Sequence, residues 1–417
     1  MTSLPTAFLA LPLPIVQLSL SAVLKCGQSF RWTAYSLNID SENACLPTHE
    51  YRFCLRDRVV CLRQTPTSIL YRTVLPDPQP NIEQQKLYEA ETLLWLKDYF
   101  QLDVNLASLY EEWGSRDKVF SEIKDRFSGI RILRQDPWEN LISFICSSNN
   151  NISRITKMVQ NLSKEYSPPL LSLSVPDGSG VEEIYHPFPP PSALAHPDVS
   201  ARLRSLGFGY RAEFIHRTAK MLVETHGSTV HPREQDEPSE QWLRTLRDMN
   251  TEDARAELLK FVGVGRKVAD CVLLMSLGKT DVVPVDTHVH QIAIKYYGMK
   301  ASPKGKMNMT PKLYEELSTK FVQVWGGYAG WAHSRYSPEP QRANSPDWRR
   351  EPQRGNAPDW KREPQRGNAP DWKRDPQRGN APDWKREPQR GNAPDWKREP
   401  QRGNAPDWRR ETESNPV

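Results

Sequence analysis

The sequence predicts an α+β fold, with an N-terminal antiparallel β-sheet domain, an all-α domain and a disordered C-terminal tail of repeats. Short β-rich runs separated by turns fill residues 15–75, which is typical of antiparallel strands. Apolar residues recur at helical spacing from Ile82 onwards. The composition then becomes repetitive near the C-terminus. These changes divide the chain into three parts, residues 1–130, 131–336 and 337–417.

The first domain contains four runs that we interpret as strands. They combine β-branched and aromatic residues with period-two alternation, which indicates strands with one buried face. The runs cover Ile15–Leu20, Ser29–Trp32, Tyr51–Leu55 and Val59–Leu62. The remainder of this domain is predicted to be helical at residues 82–100 and 119–127.

The second domain is predicted to be helical, beginning with a helix that opens at Gln135-Asp-Pro-Trp. Residues 166–197 are rich in proline and are predicted to form a surface loop. Thr251 is the predicted N-cap of a helix that leads into a glycine turn. Further helices are predicted at residues 212–225, 240–247, 251–260, from Asp286 to about Tyr297, and 312–332.

The tail repeats a twelve-residue unit, Glu-Pro-Gln-Arg-Gly-Asn-Ala-Pro-Asp-Trp-Lys-Arg, in which tryptophan recurs strictly from Trp348 to Trp408. Each unit has two prolines and one large apolar side chain, so it cannot bury a core. We therefore predict disorder. Stacked solenoid repeats are the alternative, although twelve residues are too few for the usual helical units. Weak contact with DNA through arginine and tryptophan is a further alternative.

The net charge of +5 is not spread evenly over the chain. Of the 56 basic and 51 acidic residues, 18 and 14 lie in residues 337–417, which leaves 38 and 37 for the rest. The folded part is therefore nearly neutral, and a nucleic-acid surface would have to be a local patch.

The six cysteines are scattered without paired spacing or histidine partners. This pattern predicts neither a zinc site nor an iron–sulfur cluster, so we expect no metal and no cofactor. It also favours a reducing, intracellular compartment. The apolar N-terminal stretch is interrupted by Pro12 and Pro14 and lacks a basic flank, so we expect no signal peptide and no membrane span.

Residues 261–291 carry the strongest chemical signal in the chain. Gly263 and Gly265 are expected to turn the backbone through positive φ and to expose amides that can hold a phosphate at a helix N-terminus. Lys267 follows in the first helical turn, and Asp286 lies nineteen residues further on, before Thr-His-Val. An amine and a carboxylate are thus predicted to share a cleft.

Lys267 has two interpretations that this stretch leaves equally open. The macrodipole disfavours a cation at a helix N-terminus, and a partly desolvated neutral amine is a nucleophile suited to Schiff-base chemistry. The alternative is an ordinary lysine that contacts phosphate.

The residues around Lys267 also have structural and functional interpretations. Asp286 is a good N-cap, and a carboxylate fixed in this way can also stabilise positive charge on a sugar. Cys271 lies one turn after Lys267 and is expected to pack in the core. His288 is placed to contact phosphate or to be a simple surface residue.

Three further blocks accompany this stretch in a fixed order. They read Cys26-Gly-Gln-Ser-Phe-Arg-Trp32, Phe144-Ile-Cys-Ser-Ser-Asn-Asn-Asn-Ile-Ser-Arg154 and Gly207-Phe-Gly-Tyr-Arg211. Together with Gly263-Val-Gly-Arg-Lys-Val-Ala-Asp-Cys271 and Pro284-Val-Asp-Thr-His288, they resemble the eukaryotic 8-oxoguanine DNA glycosylase/AP lyase family of the helix-hairpin-helix superfamily. The likeness covers almost all of residues 10–333.

The resemblance implies a role for each matching residue. Lys267 would attack C1′ of the damaged nucleotide and form a Schiff base, with Asp286 as its catalytic partner. The pocket for the lesion base would contain Gly27, Cys271, Pro284 and His333, with the Gly27 carbonyl reading the N7–H of 8-oxoguanine. DNA contacts would come from Asn149, Arg154 and Arg211 at the orphaned cytosine, Tyr210 as a wedge in the base stack, and Gly263, Gly265 and His288 at the backbone. This arrangement matches the needs of base flipping.

The sequence departs from the family pattern in the hairpin and near the C-terminus. The hairpin reads Phe261-Val262 where the family usually has Leu-Pro, which loosens the turn but leaves both glycines in place. His333 stands where a glutamine normally reads the Watson–Crick edge of the base. Ser337 stands where an aromatic residue normally sandwiches that base, and the chain continues into the repeats. In the family pattern, the departure at Ser337 leaves the base pocket without one aromatic wall.

We therefore expect a monomeric base excision repair enzyme that acts on damaged double-stranded DNA, without a membrane association. The resemblance implies the nucleus as its location, with the mitochondrion also open. A glycosylase for oxidised pyrimidines is disfavoured because the four-cysteine cluster of that class is absent, and a monofunctional alkyl-base glycosylase is disfavoured by Lys267. A DNA-binding protein that has lost catalysis is the rival from another class.

Overall fold

A computed structural model describes residues 7–38, 45–229, 235–299 and 309–334. All the site residues predicted above fall within these ranges. The predicted repeat tail, together with Ser337, lies outside the described residues.

Five strands form one antiparallel sheet in the order β1-β5-β4-β3-β2. They are β1 Leu9–Pro12, β2 Thr33–Ser36, β3 His49–Cys54, β4 Val59–Gln64 and β5 Ser68–Val74. Leu62 pairs with both Tyr51 and Tyr71, and these three side chains face a core shared with the following long helix. Alternate residues of the strands thereby bury one face of the sheet against a helical layer.

Helices make up most of the remaining structure. They are α1 Leu20–Val23, α2 Ile82–Tyr99, α3 Leu106–Arg116, α4 Lys118–Ile123, α5 Pro137–Ser147, α6 Ile152–Tyr166, α7 Pro191–Leu194, α8 Val199–Ser205, α9 Arg211–His226, α10 Pro238–Thr245, α11 Thr251–Leu258, α12 Arg266–Met275, α13 Thr287–Tyr297, α14 Pro311–Trp325 and α15 Ala329–His333. Within the described ranges, none of them is long and apolar enough to cross a membrane.

The helices surround two hydrophobic cores. The larger core is built from α5 to α12, and α5 and α12 pack side by side within it. The second core joins α3 and α4, which belong to the first third of the chain, to α13, α14 and α15. The first predicted domain therefore contributes helices that support the C-terminal part of the second.

Several local predictions were wrong. Ile15–Leu20 is a turn that enters α1, because the amides of Gln17 and Leu18 bond back to the Pro14 carbonyl and not to a neighbouring strand. Ser29–Trp32 is irregular and lies immediately before β2. The proline-rich segment 166–197 contains a two-stranded hairpin, β6 Leu171–Ser174 with β7 Glu182–Tyr185, and also helix α7. The N-cap of α11 is Asn250 instead of Thr251. The predicted helix 312–332 is interrupted at Gly326, whose φ is +72°.

An irregular buried segment, residues 130–135, joins the sheet domain to the helical domain. Glutamine side chains satisfy its backbone groups. Gln28 donates Nε2 to the Arg131 carbonyl at 2.9 Å and accepts the Leu133 amide on Oε1 at 3.0 Å. Gln101 donates to the Ile132 carbonyl at 2.9 Å. Buried backbone without a regular ladder requires such partners.

The same segment also reaches α12. The amide of Gln135 donates to the Met275 carbonyl at 2.8 Å, at the C-terminal end of that helix. The side chain of Gln135 donates to the Gln28 carbonyl at 2.9 Å. One residue thus links the loop that contains Gln28 to the helix that contains Lys267.

Replacing Gln28 by Met should lower the free energy of unfolding by about 2 to 4 kcal/mol, because a buried amide and a buried carbonyl lose their partners. Urea unfolding followed by circular dichroism measures the change. Gln323→Met, at an exposed position of α14, is the matched control and should stay within about 0.5 kcal/mol of the parent protein. A similar small change for Gln28→Met would contradict this account of the segment.

Candidate active site

The glycine turn between α11 and α12 depends mainly on Gly263. Its φ is +81°, and a Cβ placed there would lie 2.4 Å from the Phe214 ring. Gly265 differs from the prediction, since its φ is −95° and it serves as the exposed N-cap of α12. The turn therefore requires positive φ at one glycine, while the second leaves the first amides of α12 open to solvent.

Lys267 is the second residue of α12 and is half-buried. Its Nζ lies 5.6 Å from the centroid of the Phe144 ring, which is buried on α5. Phe144 packs edge-on against Phe30, with 6.0 Å between ring centroids. The amine therefore lies over an aromatic face at the packed boundary between α5 and α12.

Asp286 is the N-cap of α13, as predicted. Its Oδ1 accepts the amides of His288 at 2.9 Å and Val289 at 3.1 Å. Because both cap bonds end on one oxygen, the cap does not require Oδ2. The carboxylate is half-buried, so it can hold a fixed orientation while it faces a charged or polarised group.

Cys271 and His333 interact electrostatically with the same two residues. Burial raises the pKa of the Cys271 thiol to about 11, and the Lys267 ammonium opposes this effect. Burial lowers the pKa of His333 below its usual value, with Asp286 acting in the opposite direction and Lys267 in the same direction. A neutral thiol and a neutral imidazole thus border the amine and the carboxylate.

His333 ends α15, and its Nδ1 atom is buried without a hydrogen-bond partner among the described residues. A buried polar atom of this kind is costly unless a ligand or water satisfies it. Pro284 is buried in the segment before Asp286, and His288 is exposed in the first turn of α13. Asp286 therefore has the buried Pro284 before it in the sequence and the exposed His288 after it.

Gly27 lies in a half-buried loop with φ at +84°. A Cβ at this position would approach Ile152 to 3.0 Å, so the loop conformation and the close approach both favour glycine. Gln28 holds the loop against residues 130–135. Gln28 was not among the predicted site residues, although a glutamine between small and aromatic residues in a buried block is a usable signal.

A second group of predicted residues joins two loops. Asn149 is exposed and has a φ of +48°. The Tyr210 hydroxyl donates to the Ser148 carbonyl at 3.0 Å, and Arg154 Nη2 donates to the Gly207 carbonyl at 3.1 Å. These two hydrogen bonds therefore connect the segment around the loop before α6 to the glycine turn before α9.

Arg211, which the resemblance places at the orphaned cytosine, has its side chain directed into the protein. It is only 3% exposed, and its Nη2 donates to the carbonyls of Ser148 and Asn149, the latter at 3.0 Å. Tyr210 is 49% exposed and lies with its ring 4.6 Å from the Arg211 guanidinium carbon. The aromatic side chain is thus the one of these two that projects from the turn.

No group of three or more His, Cys, Asp or Glu side chains in the described part of the chain is arranged to hold a metal ion. The polar groups of the site are an amine, a carboxylate, an imidazole and a thiol. Such a set can carry out nucleophilic attack at carbon and can stabilise positive charge.

Two family profiles match the chain consecutively. The 8-oxoguanine DNA glycosylase N-terminal domain covers residues 10–141, and the HhH-GPD superfamily base excision DNA repair protein profile covers residues 142–318. The first takes in the sheet and α2 to α4, and the second takes in the glycine turn, Lys267 and Asp286.

Curated relatives agree with these profiles. The N-glycosylase/DNA lyase of Saccharomyces cerevisiae is 37% identical over 332 residues, which covers 76% of this chain and 81% of the relative. The N-glycosylase/DNA lyase OGG1 of Arabidopsis thaliana is 34% identical and covers 78% of each chain.

Solved structures have the same fold. MBOgg1 in complex with a low-affinity DNA ligand gives a TM-score of 0.59 at 25% identity, covering 80% of this chain and 95% of that one. The Clostridium acetobutylicum 8-oxoguanine glycosylase/lyase, bound to double-stranded DNA with cytosine opposite 8-oxoG, gives 0.58 at 25% identity, covering 79% and 94%. The chain therefore belongs to the N-glycosylase/DNA lyase family of helix-hairpin-helix base excision DNA repair enzymes.

Proposed function

We propose that this protein excises 8-oxoguanine opposite cytosine in double-stranded DNA and then cleaves the strand at the abasic site by β-elimination. The main support is the convergence of Lys267, Asp286, Cys271 and His333 on one region, at the N-terminus of a helix entered through a glycine turn. The relatives named above act in the same class of reaction, which strengthens the proposal.

The chemistry starts from the neutral form of Lys267. Its Nζ attacks C1′, the N-glycosidic bond breaks, and the bonding pair leaves with the base, which takes up a proton. The amine nitrogen passes one proton to the departing base; the C1′–O4′ bond then breaks, O4′ takes up a proton from solvent, and the nitrogen keeps its last proton in a protonated Schiff base. Removal of a C2′ proton then expels the 3′ phosphate oxygen and nicks the strand.

Asp286 has two tasks in this scheme. As the N-cap it is held in place by two amides, and as a carboxylate it stabilises the positive charge that develops on the sugar as the base leaves. Because the group is half-buried and already oriented, it needs little reorganisation during the reaction.

The lesion base would enter a pocket bordered by Gly27, Cys271, Pro284 and His333. The Gly27 carbonyl would accept the N7–H that 8-oxoguanine has and guanine lacks. The neutral Cys271 thiol would pack on the base, and Nδ1 of His333 would gain the hydrogen-bond partner that it lacks among the described residues.

The loop before α6 and the glycine turn before α9 would contact the orphaned cytosine. Asn149 and Arg154 are exposed there, and Arg211 would redirect its guanidinium from the Ser148 carbonyl to the base. Tyr210 is a rigid, exposed ring suited to fill the gap in the stack. The first amides of α12, which follow the turn made by Gly263 and Gly265, would hold phosphates together with His288. We place the enzyme in the nucleus as part of this proposal.

Lys267→Gln should abolish covalent trapping by borohydride on a duplex with 8-oxoguanine opposite cytosine, because a carboxamide nitrogen does not form a Schiff base. The parent protein should give the adduct, and so should Lys295→Gln, which changes an exposed lysine on α13. Absence of the adduct with the parent protein, or its persistence in Lys267→Gln, would leave a DNA-binding role without catalysis.

Gly263→Ala should weaken binding to a duplex with a stable abasic analogue by about 10-fold or more, since the new methyl group displaces the Phe214 ring and the turn is strained. Fluorescence anisotropy measures the affinity. Gly298→Ala is the control, because Gly298 also has a positive φ, +69°, but a Cβ placed there would have nothing within 4 Å. Equal losses in the two variants would assign the effect to backbone strain alone.

His333→Gln should speed single-turnover excision of 8-oxoguanine by a few-fold, and His333→Ala should slow it by about 10-fold. An amide presents an acceptor and a donor side by side, whereas a neutral imidazole presents them on separate sides of the ring. Borohydride trapping at a preformed abasic site involves no base recognition and should be the same in both variants. Equal excision rates for Gln, Ala and His would remove His333 from the base pocket.

A further inference from the structure

Asp270 is a buried carboxylate on α12 that the proposed chemistry does not use. It lies three residues after Lys267 and is 1% exposed. Its Oδ1 accepts Arg255 Nε at 2.7 Å, and its Oδ2 accepts Arg266 Nε at 3.2 Å. An isolated buried carboxylate would be very costly, so these partners hold it in one orientation.

The Tyr314 hydroxyl connects Asp270 to another part of the site. It donates to Asp270 Oδ2 at 2.7 Å and accepts the backbone amide of Val285 at 3.0 Å. Since an amide can only donate and a carboxylate can only accept, the direction of both bonds is fixed. Burial, followed by the Asp270 charge, raises the pKa of Tyr314, so the hydroxyl keeps its proton.

Val285 immediately precedes Asp286. The residue is buried, and Pro284 before it has no amide of its own. A series of hydrogen bonds therefore connects the helix of Lys267, through Asp270 and Tyr314, to the backbone that carries Asp286. Lys267 and Asp286 are separated by nineteen residues in sequence. Two hydrogen bonds, both to the Tyr314 hydroxyl, connect Asp270 on the helix of Lys267 to the backbone amide that precedes Asp286.

We propose that Asp270 and Tyr314 are positioning residues that set the carboxylate of Asp286 relative to the amine of Lys267. This inference rests on the proposed function, because positioning matters only if the pair acts together. Misplacement of a catalytic group by about 1 Å can cost about 100-fold in rate, and a buried, directional hydrogen-bond chain is suited to prevent it.

Base excision and trapping at an abasic site should respond differently when the hydrogen bonds that link Asp270, Tyr314 and Val285 are lost. Base excision needs Asp286 to stabilise the developing positive charge while Lys267 attacks. Trapping at a preformed abasic site needs the Lys267 amine and an aldehyde that is already free. Loss of the Tyr314 hydroxyl should therefore slow excision more than it slows trapping.

Tyr314→Phe tests this inference, because it removes one oxygen and keeps the ring packing. Single-turnover excision of 8-oxoguanine should fall by about 10- to 100-fold, while borohydride trapping at a preformed abasic site should stay within a few-fold of the parent protein. Tyr297→Phe is the matched control. It removes a comparable bond, 2.6 Å from the Tyr297 hydroxyl to Asp117 Oδ2, within the same hydrophobic core, and should leave both rates unchanged.

A measurement that does not depend on catalysis separates this inference from the proposed function. Hydrogen exchange of the Val285 amide should be slow in the parent protein, at least about 10-fold faster in Tyr314→Phe, and unchanged in Tyr297→Phe. Unaltered exchange in Tyr314→Phe would overturn the inference even if the parent enzyme is active.

Equal losses of excision and trapping in Tyr314→Phe would also overturn it, since they would indicate a purely structural role. If the parent protein gives no adduct in the trapping assay, the proposed function fails. The positioning role in catalysis then falls with it, whatever the exchange rates show.

Discussion

The buried segment 130–135 is the constraint on which the site most depends. It has no strand partner, yet it runs through the interior between a sheet and a set of helices, so its backbone groups need partners outside a ladder, both from other backbone, such as the Met275 carbonyl, and from side chains. Glutamines supply side-chain partners here because an amide side chain offers both a donor and an acceptor. Gln28 and Gln135 thereby fix the loop of Gly27 to the far end of the helix that begins beside Lys267.

The buried polar groups around Lys267 and Asp286 likewise either have hydrogen-bond partners or are neutral. Lys267 and Asp286 are only half-buried, which keeps both accessible to a large substrate. The groups behind them are fully enclosed, and each is either neutral, as Cys271 is, or surrounded by partners, as Asp270 is. The desolvated groups thus lie behind Lys267 and Asp286, the two residues proposed to react, and hydrogen bonds offset their cost of burial.

The parts of the site that depend on local backbone could be predicted from the sequence. A glycine turn, a lysine in the first helical turn and an Asp N-cap are signals contained within a few residues, and Gly263, Lys267 and Asp286 follow them. Local signals failed where the outcome depended on distant packing. Gly265 needed no positive φ, and the Arg211 side chain turned inward to carbonyls of a loop more than sixty residues away.

Other features left no local signal. The Asp270–Tyr314 bond joins residues 44 positions apart, and nothing near either residue indicates its partner. The hairpin in residues 166–197 was hidden because proline dominates the composition on both sides of its short strands. The fold class was nonetheless predicted correctly, since it rests on periodicities sustained over many residues.

A Cβ at position 27 would lie 3.0 Å from the Ile152 side chain, so the loop of Gly27 approaches α6 closely. Ile152 is the first residue of α6, directly after the asparagine loop, so the loop proposed to read the lesion base lies beside the start of the helix that follows the loop proposed to read the cytosine. A larger residue at position 27 would push on that helix as well as narrow the base pocket. With both loops acting as proposed, a substitution at position 27 would affect recognition of the lesion and of the cytosine opposite it.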